Sequence, residues 1–575
     1  MSDTGPVASR GDMLLIAGLV LLSVVAYAGQ LGFYSDDWAI LAYFRASTDQ
    51  SLAEILRLGV AFIPYRPGQA ANLGILYWLF GLSPLGYHVA NALVLAAIGP
   101  LFYLVLRECG QGRLIALAVP LVWLCLPHYA TNRYWYAAFA VPVCTLFYFA
   151  SLYADLRVVR PGRLGGVAWK ALAVVGLLAS VLTYEIWLPL FCMSPLLVWY
   201  RSRQPGVPAT NPAGGLEVRR AAWLALPTLL AVAAVTTYKL LLTTRLKPAT
   251  LAEHVTWFWN LLHDAVLTTV AGDFGLRLPF TLVDIFRNYP DAIATALALS
   301  CGFVAFAGLV RADGRSGGAG LRPGPMLALA GVGVLVFFAG YGIFFASFNA
   351  AVSSTGANNR TAMAPAVGIA LVAVGLAGWL GSWWRPGRVR VVVFAATLAA
   401  TCATGLLIIN TVASFWIAAG GRQQQVLAAL RDQAPRLPAG ATLLLDGVCP
   451  YVGPAPVFET WWDTTGALRI LYADPTLTGD VVTRKVSLRD DGIYTRIYGD
   501  LRGPYPYERV VIFNLRSKSL EQLAGPFAAR RYFQENNPGG DGGCQPTVEG
   551  VGEPLFVRGA PPVGRQPLVM ENPAP

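Results

Sequence analysis

Phe33-Tyr34-Ser35-Asp36-Asp37-Trp38 is the stretch on which the reading of this chain turns. It follows an apolar run over 13–32 that is, at roughly 20 residues, long enough to cross a hydrocarbon core about 30 Å thick. Two adjacent carboxylates therefore stand where a span meets water. Tyr34 and Trp38 bracket them in the manner of an interfacial aromatic belt. As a helix end the pair needs only hydration, since polar residues commonly stop helices. As a site it presents two acids on one membrane face. The rest of the chain weighs these two readings.

Of the 575 residues, 55% are hydrophobic and 13% charged, with a mean hydropathy of +0.52. A soluble domain carries about twice that share of charge, so the class is a polytopic α-helical membrane protein. A net charge of +11 in a soluble chain would suggest nucleic acid. Here Arg collected in short loops by the positive-inside rule accounts for it, and no nucleic-acid partner is expected. No Gly-rich phosphate loop ending in Lys-Ser/Thr is present, which argues against an ATP-driven pump. The first apolar run lacks a small-residue cleavage site and reads as an anchor. Six cysteines lie in or beside apolar runs as small core residues. Cys449 and Cys544, in the polar C-terminal third, are placed to pair if that part faces an oxidising compartment.

After the acidic pair, Ser51-Leu52-Ala53-Glu54 has the pattern of a capping box opening an amphipathic helix to Phe62, too short to span. Pro64-Tyr65-Arg66-Pro67 ends it. The run 69–82, at roughly 14 residues, suits an interfacial or re-entrant helix, and 256–270 is likewise placed in the interface. Spans are expected at 83–107, 114–127, 134–156, 167–184, 186–200, 221–242, 292–310, 326–348, 362–380 and 391–413. With the first run that makes about eleven. An inside N-terminus then puts Arg107/Arg113, Arg157/Arg160/Arg163/Lys170, Arg201/Arg203/Arg219/Arg220, Arg311/Arg315/Arg322 and Arg385/Arg388/Arg390 in inner loops. Were 69–82 a span, every one of these loops would change sides. Asp36-Asp37 accordingly faces outward, in a first outer loop over 33–83.

From Gly420 the composition changes. Helices at 423–433, 458–472 and 519–532 and strands at 441–446, 482–486 and 509–514 predict a small α/β domain of roughly 130–150 residues. The expected division is a transmembrane domain over 1–415 and a C-terminal extracytoplasmic α/β domain over 416–575. An odd number of spans sets the latter outside, and the Gly- and Pro-rich tail from Gly539 is irregular.

Outer-face carboxylates after the first span, interfacial helices, Tyr65-Arg66-Pro67, then Pro84-x-x-Tyr87-His88-x-x-Asn91 leading a long span form an ordered set over 32–107. This set resembles the GT-C glycosyltransferases, especially protein O-mannosyltransferases and the bacterial relatives that modify lipid A or O-antigen. Thr183-Tyr184-Glu185 at an outer helix end looks like a further family feature. The resemblance implies a GT-C-like fold and transfer of a sugar from a polyprenyl-phosphate carrier on the extracytoplasmic side. Two positions depart from the family pattern: Asp37 stands where Glu is frequent, and Arg66-Pro67-Gly68 replaces Arg-Pro-Leu. No tetratricopeptide or MIR segment points to a protein acceptor.

Transfer from a phosphate-linked sugar needs a base for the acceptor hydroxyl, and an ionised Asp supplies one. Asp36 and Asp37 are the catalytic candidates. Neighbours on a helix point about 100° apart, so one takes the proton and the other orients; the resemblance favours Asp36. The departing phosphate needs cations on the same face. Arg66 and Arg360 are the candidates for donor phosphate, with Arg245 and Lys247 better explained as boundary residues beside head groups. Arg360 closes a polar loop, Ser353 to Asn359, and similar late-loop basic residues bind the carrier phosphate in the family. Glu185 reads equally as an acceptor-side residue or an exposed helix-terminal acid. His88 and Asn91 share a helix face and are expected to hydrogen-bond to the neighbouring short helices. Adjacent carboxylates chelate one ion poorly, so no metal or other cofactor is expected to be required. Mg²⁺ or Mn²⁺ with several waters remains compatible.

The expected protein is thus a multi-pass enzyme of the inner (plasma) membrane with a cytoplasmic N-terminus. It moves a hexosyl or pentosyl group, with inversion, from a polyprenyl-phosphate-linked sugar to a hydroxyl of a lipid, glycan or protein. A polysaccharide or lipid transporter is the alternative from another class, though transporters favour mid-membrane ionisable residues in repeated halves. An O-antigen ligase or polymerase is a third, though its long late loop lies between spans.

Overall fold

The computed structural model describes residues 9–159, 165–203, 214–242, 250–314, 318–346, 350–482, 486–497 and 500–536. It opens with α1 (Arg10–Val25), then three short helices, α2 (Asp36–Arg45), α3 (Leu52–Phe62) and α4 (Pro67–Phe80), before the long α5 (Pro84–Glu108). There follow α6 (Arg113–Cys125), α7 (Ala140–Arg157), α8 (Gly166–Thr183), α9 (Leu188–Ser202) and α10 (Gly214–Leu242). Two amphipathic helices, α11 (Leu251–Val266) and α12 (Leu278–Asn288), precede α13 (Ala292–Asp313), α14 (Pro323–Tyr341), α15 (Pro365–Ser382) and α16 (Gly387–Gln433).

Among the described residues, eight helices are long and apolar enough to cross a membrane, or nine if Arg113–Cys125 and Pro127–Arg133, bent by 65°, form one span. The chain is a polytopic helical membrane protein. The expectation of about eleven straight spans is revised at α1 and α9, which have 16 and 15 residues. At 1.5 Å per residue they reach only about 22–24 Å. In both places the apolar letters continue while the helix does not: 26–30 is a turn after α1, and Glu185–Trp187 is a 3-10 turn before α9. α6 stops because Leu126, preceding Pro127, is held extended (ψ 129°).

The short helices follow their local chemistry. Pro67 occupies the first turn of α4, where its missing N–H costs nothing. α4 is 14 residues long and is not a candidate span, in keeping with the interfacial reading. Ser51 caps α3 by accepting from the Glu54 N–H at 3.3 Å. Only half the expected capping box forms, because the Glu54 carboxylate takes Arg57 at 2.6 Å and the Ser51 N–H turns to Asp49 at 2.8 Å. α11 begins at Leu251, earlier than expected, behind a complete Thr250–Glu253 box.

Basic residues from three of the Arg-rich loops are held by acids at or near the ends of the apolar runs. Arg113 pairs with Asp12 at 2.6 Å, Lys170 with Asp155 at 2.7 Å, and Arg157 and Arg201 with Glu108 at 3.2 and 3.8 Å.

α16 is 47 residues long, about 70 Å. The expected break between a span ending at 413 and a separate helix from 423 does not exist. Gly420 stays helical, and its bare Cα lies against Tyr34, whose Oη would stand 3.2 Å from an added Cβ. Beyond α16 lies the expected strand-containing part. It holds β1 (Thr442–Asp446), β2 (Tyr451–Val452), β3 (Ala455–Pro456), α17 (Trp461–Tyr472), β4 (Thr478–Val481), β5 (Val486–Arg489), β6 (Gly492–Ile497), β7 (Asp500–Tyr505), β8 (Val510–Asn514), β9 (Ser519–Gln522) and α18 (Pro526–Asn536). The main sheet has the order β4-β1-β8-β9, parallel except at the β9 edge. Of the strand expected at 482–486, Val482 lies just past β4, Val486 opens β5, and 483–485 lie outside the described residues. The helix expected at 519–532 starts only at Pro526, because Ser519–Gln522 pairs with β8. Cys449 is disulfide-bonded; Cys544 lies outside the described residues.

Candidate active site

Tyr34 fixes the loop that follows α1. Its hydroxyl donates to the Trp416 carbonyl of α16 at 2.7 Å and accepts the Gly32 N–H at 2.9 Å, while its ring meets Trp416 edge-on at 4.8 Å. Trp135 Nε1 donates to the Tyr34 carbonyl at 3.0 Å, and His88 Nε2 lies 3.2 Å from the Gly32 carbonyl. Tyr34 and Trp38 are buried in protein, 0% and 7% exposed, which corrects their reading as a lipid-facing belt. They are the anchors of the loop. Asn91 bonds the Asn132 carbonyl at 2.9 Å. The His88 and Asn91 side chains thus hydrogen-bond as expected, though to the 32–34 loop and the 3-10 turn Pro127–Arg133.

Ser35, next in line, has φ 47° and ψ −121°. A non-glycine residue pays about 1–3 kcal/mol to stay in such a region and persists only where its surroundings over-determine it. The turn swings Asp36 and Asp37 into the first turn of α2, where the N–H groups favour negative charge.

The two aspartates then part company. Asp37 is 0% exposed, and its carboxylate accepts the Tyr34 N–H and the Ala137 N–H, each at 2.8 Å. Burial pushes its carboxyl well above the usual range, partly offset by these N–H groups. It is a clamp between the 33–37 loop and the segment before α7. Asp36 is exposed to solvent although protein atoms crowd it. That crowding and the nearby Glu459 carboxylate raise its carboxyl to about 6, with Arg360 pulling the other way. At neutral pH it is an ionised acid more basic than an ordinary carboxylate, which suits proton abstraction.

Arg360 is near enough to act on Asp36 electrostatically, and its guanidinium lies half-buried over the Trp135 ring at 5.0 Å. It donates to the Ala357 carbonyl at 2.7 Å and forms no ion pair among the described residues. Two 3-10 turns, Pro127–Arg133 and Ala357–Met363, hold it in place. Asn359 Oδ1 accepts the Thr131 N–H at 3.1 Å, Thr131 Oγ1 donates to the Gly356 carbonyl at 2.7 Å, and Asn132 Nδ2 to the Arg360 carbonyl at 3.2 Å.

Arg66 is differently engaged. Both its Nε (3.0 Å) and Nη2 donate to the Glu185 carboxylate, and its guanidinium covers the Tyr184 ring at 3.9 Å. Lys239 of α10 reaches the same carboxylate at 2.9 Å. Glu185 is therefore no free terminal acid. Burial would raise it, but Arg66 and Lys239 outweigh that and hold it at about 2. Two cations on one carboxylate leave a net positive charge. Arg66 also approaches Gln69 at 3.5 Å, and Gln69 Nε2 donates to the Ala137 carbonyl at 3.4 Å, next to the Asp37 clamp. Gly68 explains the departure from Arg-Pro-Leu: an added Cβ would lie 2.3 Å from Thr183 Oγ1 and 2.9 Å from its backbone N. Only glycine lets α4 sit on the end of α8.

The C-terminal part supplies a residue that the sequence pattern did not single out, Glu459, beside the Trp461-Trp462 pair. Glu459 accepts from the Ser35 and Tyr451 hydroxyls, and its N–H donates to Asp463 at 2.8 Å. Trp462 Nε1 reaches Ser35 Oγ at 3.5 Å. Trp461 carries Arg502 over its ring at 4.7 Å. Lys239 and Trp135 were also missed; a cation or an aromatic near a helix end gives no signal until its neighbours are known. Arg245 and Lys247 lie outside the described residues. Among the described residues no three His, Cys, Asp or Glu side chains group as for a metal ion. An apolar cavity of about 750 Å³, lined in part by Phe102, Leu106, Leu197, Met326 and Leu371, reaches Trp187, two positions from Glu185.

No known protein family and no curated protein matches the chain. Among solved structures, that of ArnT from Cupriavidus metallidurans bound to undecaprenyl phosphate is similar at 15% identity and a TM-score of 0.36, covering 83% of this chain and 86% of that one. A likeness so distant transfers no residue roles, and the geometry above stands by itself.

Proposed function

We propose that this protein is an integral membrane glycosyltransferase of GT-C type that takes a sugar from a polyprenyl-phosphate carrier and passes it to an acceptor hydroxyl on the extracytoplasmic face. Asp36 removes the hydroxyl proton as the acceptor oxygen attacks the anomeric carbon. The bond from that carbon to the phosphate oxygen breaks, and the carrier leaves as polyprenyl phosphate. One displacement inverts the anomeric centre. The phosphate needs little protonation; it needs positive charge where its own charge grows. Arg360, with no ion pair of its own among the described residues, suits that role. Arg66, paired with Glu185 and backed by Lys239, adds a fixed net positive field rather than a free donor fork.

The observation carrying this reading is the contrast within one dipeptide: Asp37 is sealed and spent on backbone N–H groups, while Asp36 is solvent-accessible and within the field of Arg360. Such a split of two acids into structural and chemical roles is what a base requires. The apolar cavity beside Trp187 offers room for part of an isoprenoid chain. The test is transfer by the purified protein in lipid nanodiscs from a panel of polyprenyl-phosphate hexoses and pentoses. Comparison of lipopolysaccharide, lipoglycan and glycoprotein profiles with and without the gene identifies the acceptor class. Products with retained anomeric configuration, or no transfer from any carrier-linked sugar, would count against it.

A further inference from the structure

We infer that the C-terminal domain completes the active site, with Glu459 as the positioning residue that holds Ser35, and through it Asp36, in working orientation. The inference rests on Asp36 as the base. Ser35 directly precedes Asp36 and occupies a backbone region that glycine would fill without strain. Its hydroxyl is held by two residues from the far end of the chain, the Glu459 carboxylate and Trp462 Nε1.

Glu459 is itself rigidly mounted. Its other oxygen accepts from Tyr451, and its N–H is bound by Asp463, whose carboxylate also accepts the N–H groups of Thr460 (3.1 Å) and Thr464 (2.7 Å) at the start of α17. α17 in turn lies directly on α2. A Cβ on Gly466 would fall 2.4 Å from both the carbonyl carbon and oxygen of Trp38, so this is a backbone-to-backbone contact that only glycine permits. Phe458 packs near the Trp38 ring, with centroids 6.5 Å apart. A domain that merely hung from α16 would have no need of so close a seat on the helix bearing the catalytic carboxylate.

The arrangement also has an electrostatic consequence. The charged groups around Asp36 are Glu459 from the C-terminal domain, Arg360 from the late loop and Asp37 on its own helix, with Asp463 behind Glu459. Glu459 opposes a second negative charge at Asp36 and so makes it the stronger base; Arg360 opposes that effect. Undocking would remove both the tether and the charge, so docking of this domain governs catalytic competence.

Two variants separate tether from charge. Glu459→Gln keeps an acceptor for Ser35 but loses the charge. Ser35→Gly loses the hydroxyl while relieving the backbone strain, so folding is not at risk. Labelling of the protonated Asp36 carboxyl by dicyclohexylcarbodiimide, read by peptide mass spectrometry over pH 4–9, follows its titration without any substrate. The expected result is a midpoint displaced to lower pH in Glu459→Gln, and in Ser35→Gly a roughly tenfold lower kcat with KM unchanged. Wild-type labelling midpoint in Glu459→Gln together with wild-type kcat in Ser35→Gly overturns the inference. Full transfer activity in Asp36→Asn would instead overturn the assignment of the base, leaving the labelling result to judge the coupling separately.

Discussion

Ser35 donates its hydroxyl to the Glu459 carboxylate across 424 positions of sequence. One end of that bond lies in the turn that aims Asp36, the other in a domain reached only through the 47-residue helix α16. The proposed site is thus assembled from the loop after α1, the 3-10 turn carrying Arg360 and the C-terminal part.

The two aspartates should respond oppositely. Asp36→Asn removes a carboxylate that the fold holds at about 6, above its free value. A raised acid is most costly when ionised, so the variant is more stable than wild type at pH 7, by on the order of 1 kcal/mol after solvent screening. The difference shrinks as pH falls from about 6 toward 4. Asp37→Asn replaces one of two acceptor oxygens facing N–H groups with a donor, and costs about 1–3 kcal/mol. Thermal melts in detergent at pH 4 and 7 check both signs.

Glu185 works in the other direction. Its carboxyl is held down to about 2, so its stabilising effect is full above pH 5 and is lost as pH falls from about 4.5 through 2. Glu185→Ala leaves Arg66 and Lys239 facing each other with no counter-charge and should cost about 2–4 kcal/mol at pH 7. Its melting temperature should also vary less with pH over that window than the wild type's. A variant as stable as wild type at pH 7 would mean that the pair contributes nothing.

Leucine at Gly68 should damage this protein. Any Cβ there meets Thr183 Oγ1 and the Thr183 backbone, and overpacking of this kind costs about 1–3 kcal/mol. Thr183→Ala removes only the side-chain part of the clash, so Gly68→Leu should be rescued incompletely by it. Melting of the two single variants and the double tests this, as a cycle.

Arg360→Ala should lower kcat by about 10²–10³-fold, as loss of a donor to developing charge does. Arg66→Ala should lose stability first, because its guanidinium is spent on Glu185 and Tyr184. Steady-state transfer kinetics beside melting temperatures distinguish the two roles.

The membrane class, the short helices α3 and α4 and a strand-bearing C-terminal part were legible in hydropathy, length and turn residues. The candidate set Asp36, Asp37, Arg66, Glu185 and Arg360 came from placement and resemblance, and the activity measurements proposed here test it. What was hidden depended on tertiary partners. Nothing in the dipeptide distinguished Asp36 from Asp37; the separation came from the N–H groups of Tyr34 and Ala137. Glu459 and Lys239 look like ordinary charges in sequence because their meaning lies in what they face. Gly420-Gly421 read as a break, yet α16 runs through them, since the glycine there is required by close packing on Tyr34 rather than by a turn. Tyr34 and Trp38 looked interfacial because an aromatic near an acid resembles a belt residue, whether lipid or protein covers it.

The central claim is that Asp36 takes the acceptor proton. The direct measurement is kcat for sugar transfer from a polyprenyl-phosphate donor by wild-type and Asp36→Asn protein in nanodiscs, from pH 5 to 9, with both confirmed folded by their melts. The account predicts a wild-type rate falling on the acid side of about pH 6 and a variant slower by about 10²–10⁴-fold with no such limb. An Asp36→Asn rate within about twofold of wild type across that range would contradict it.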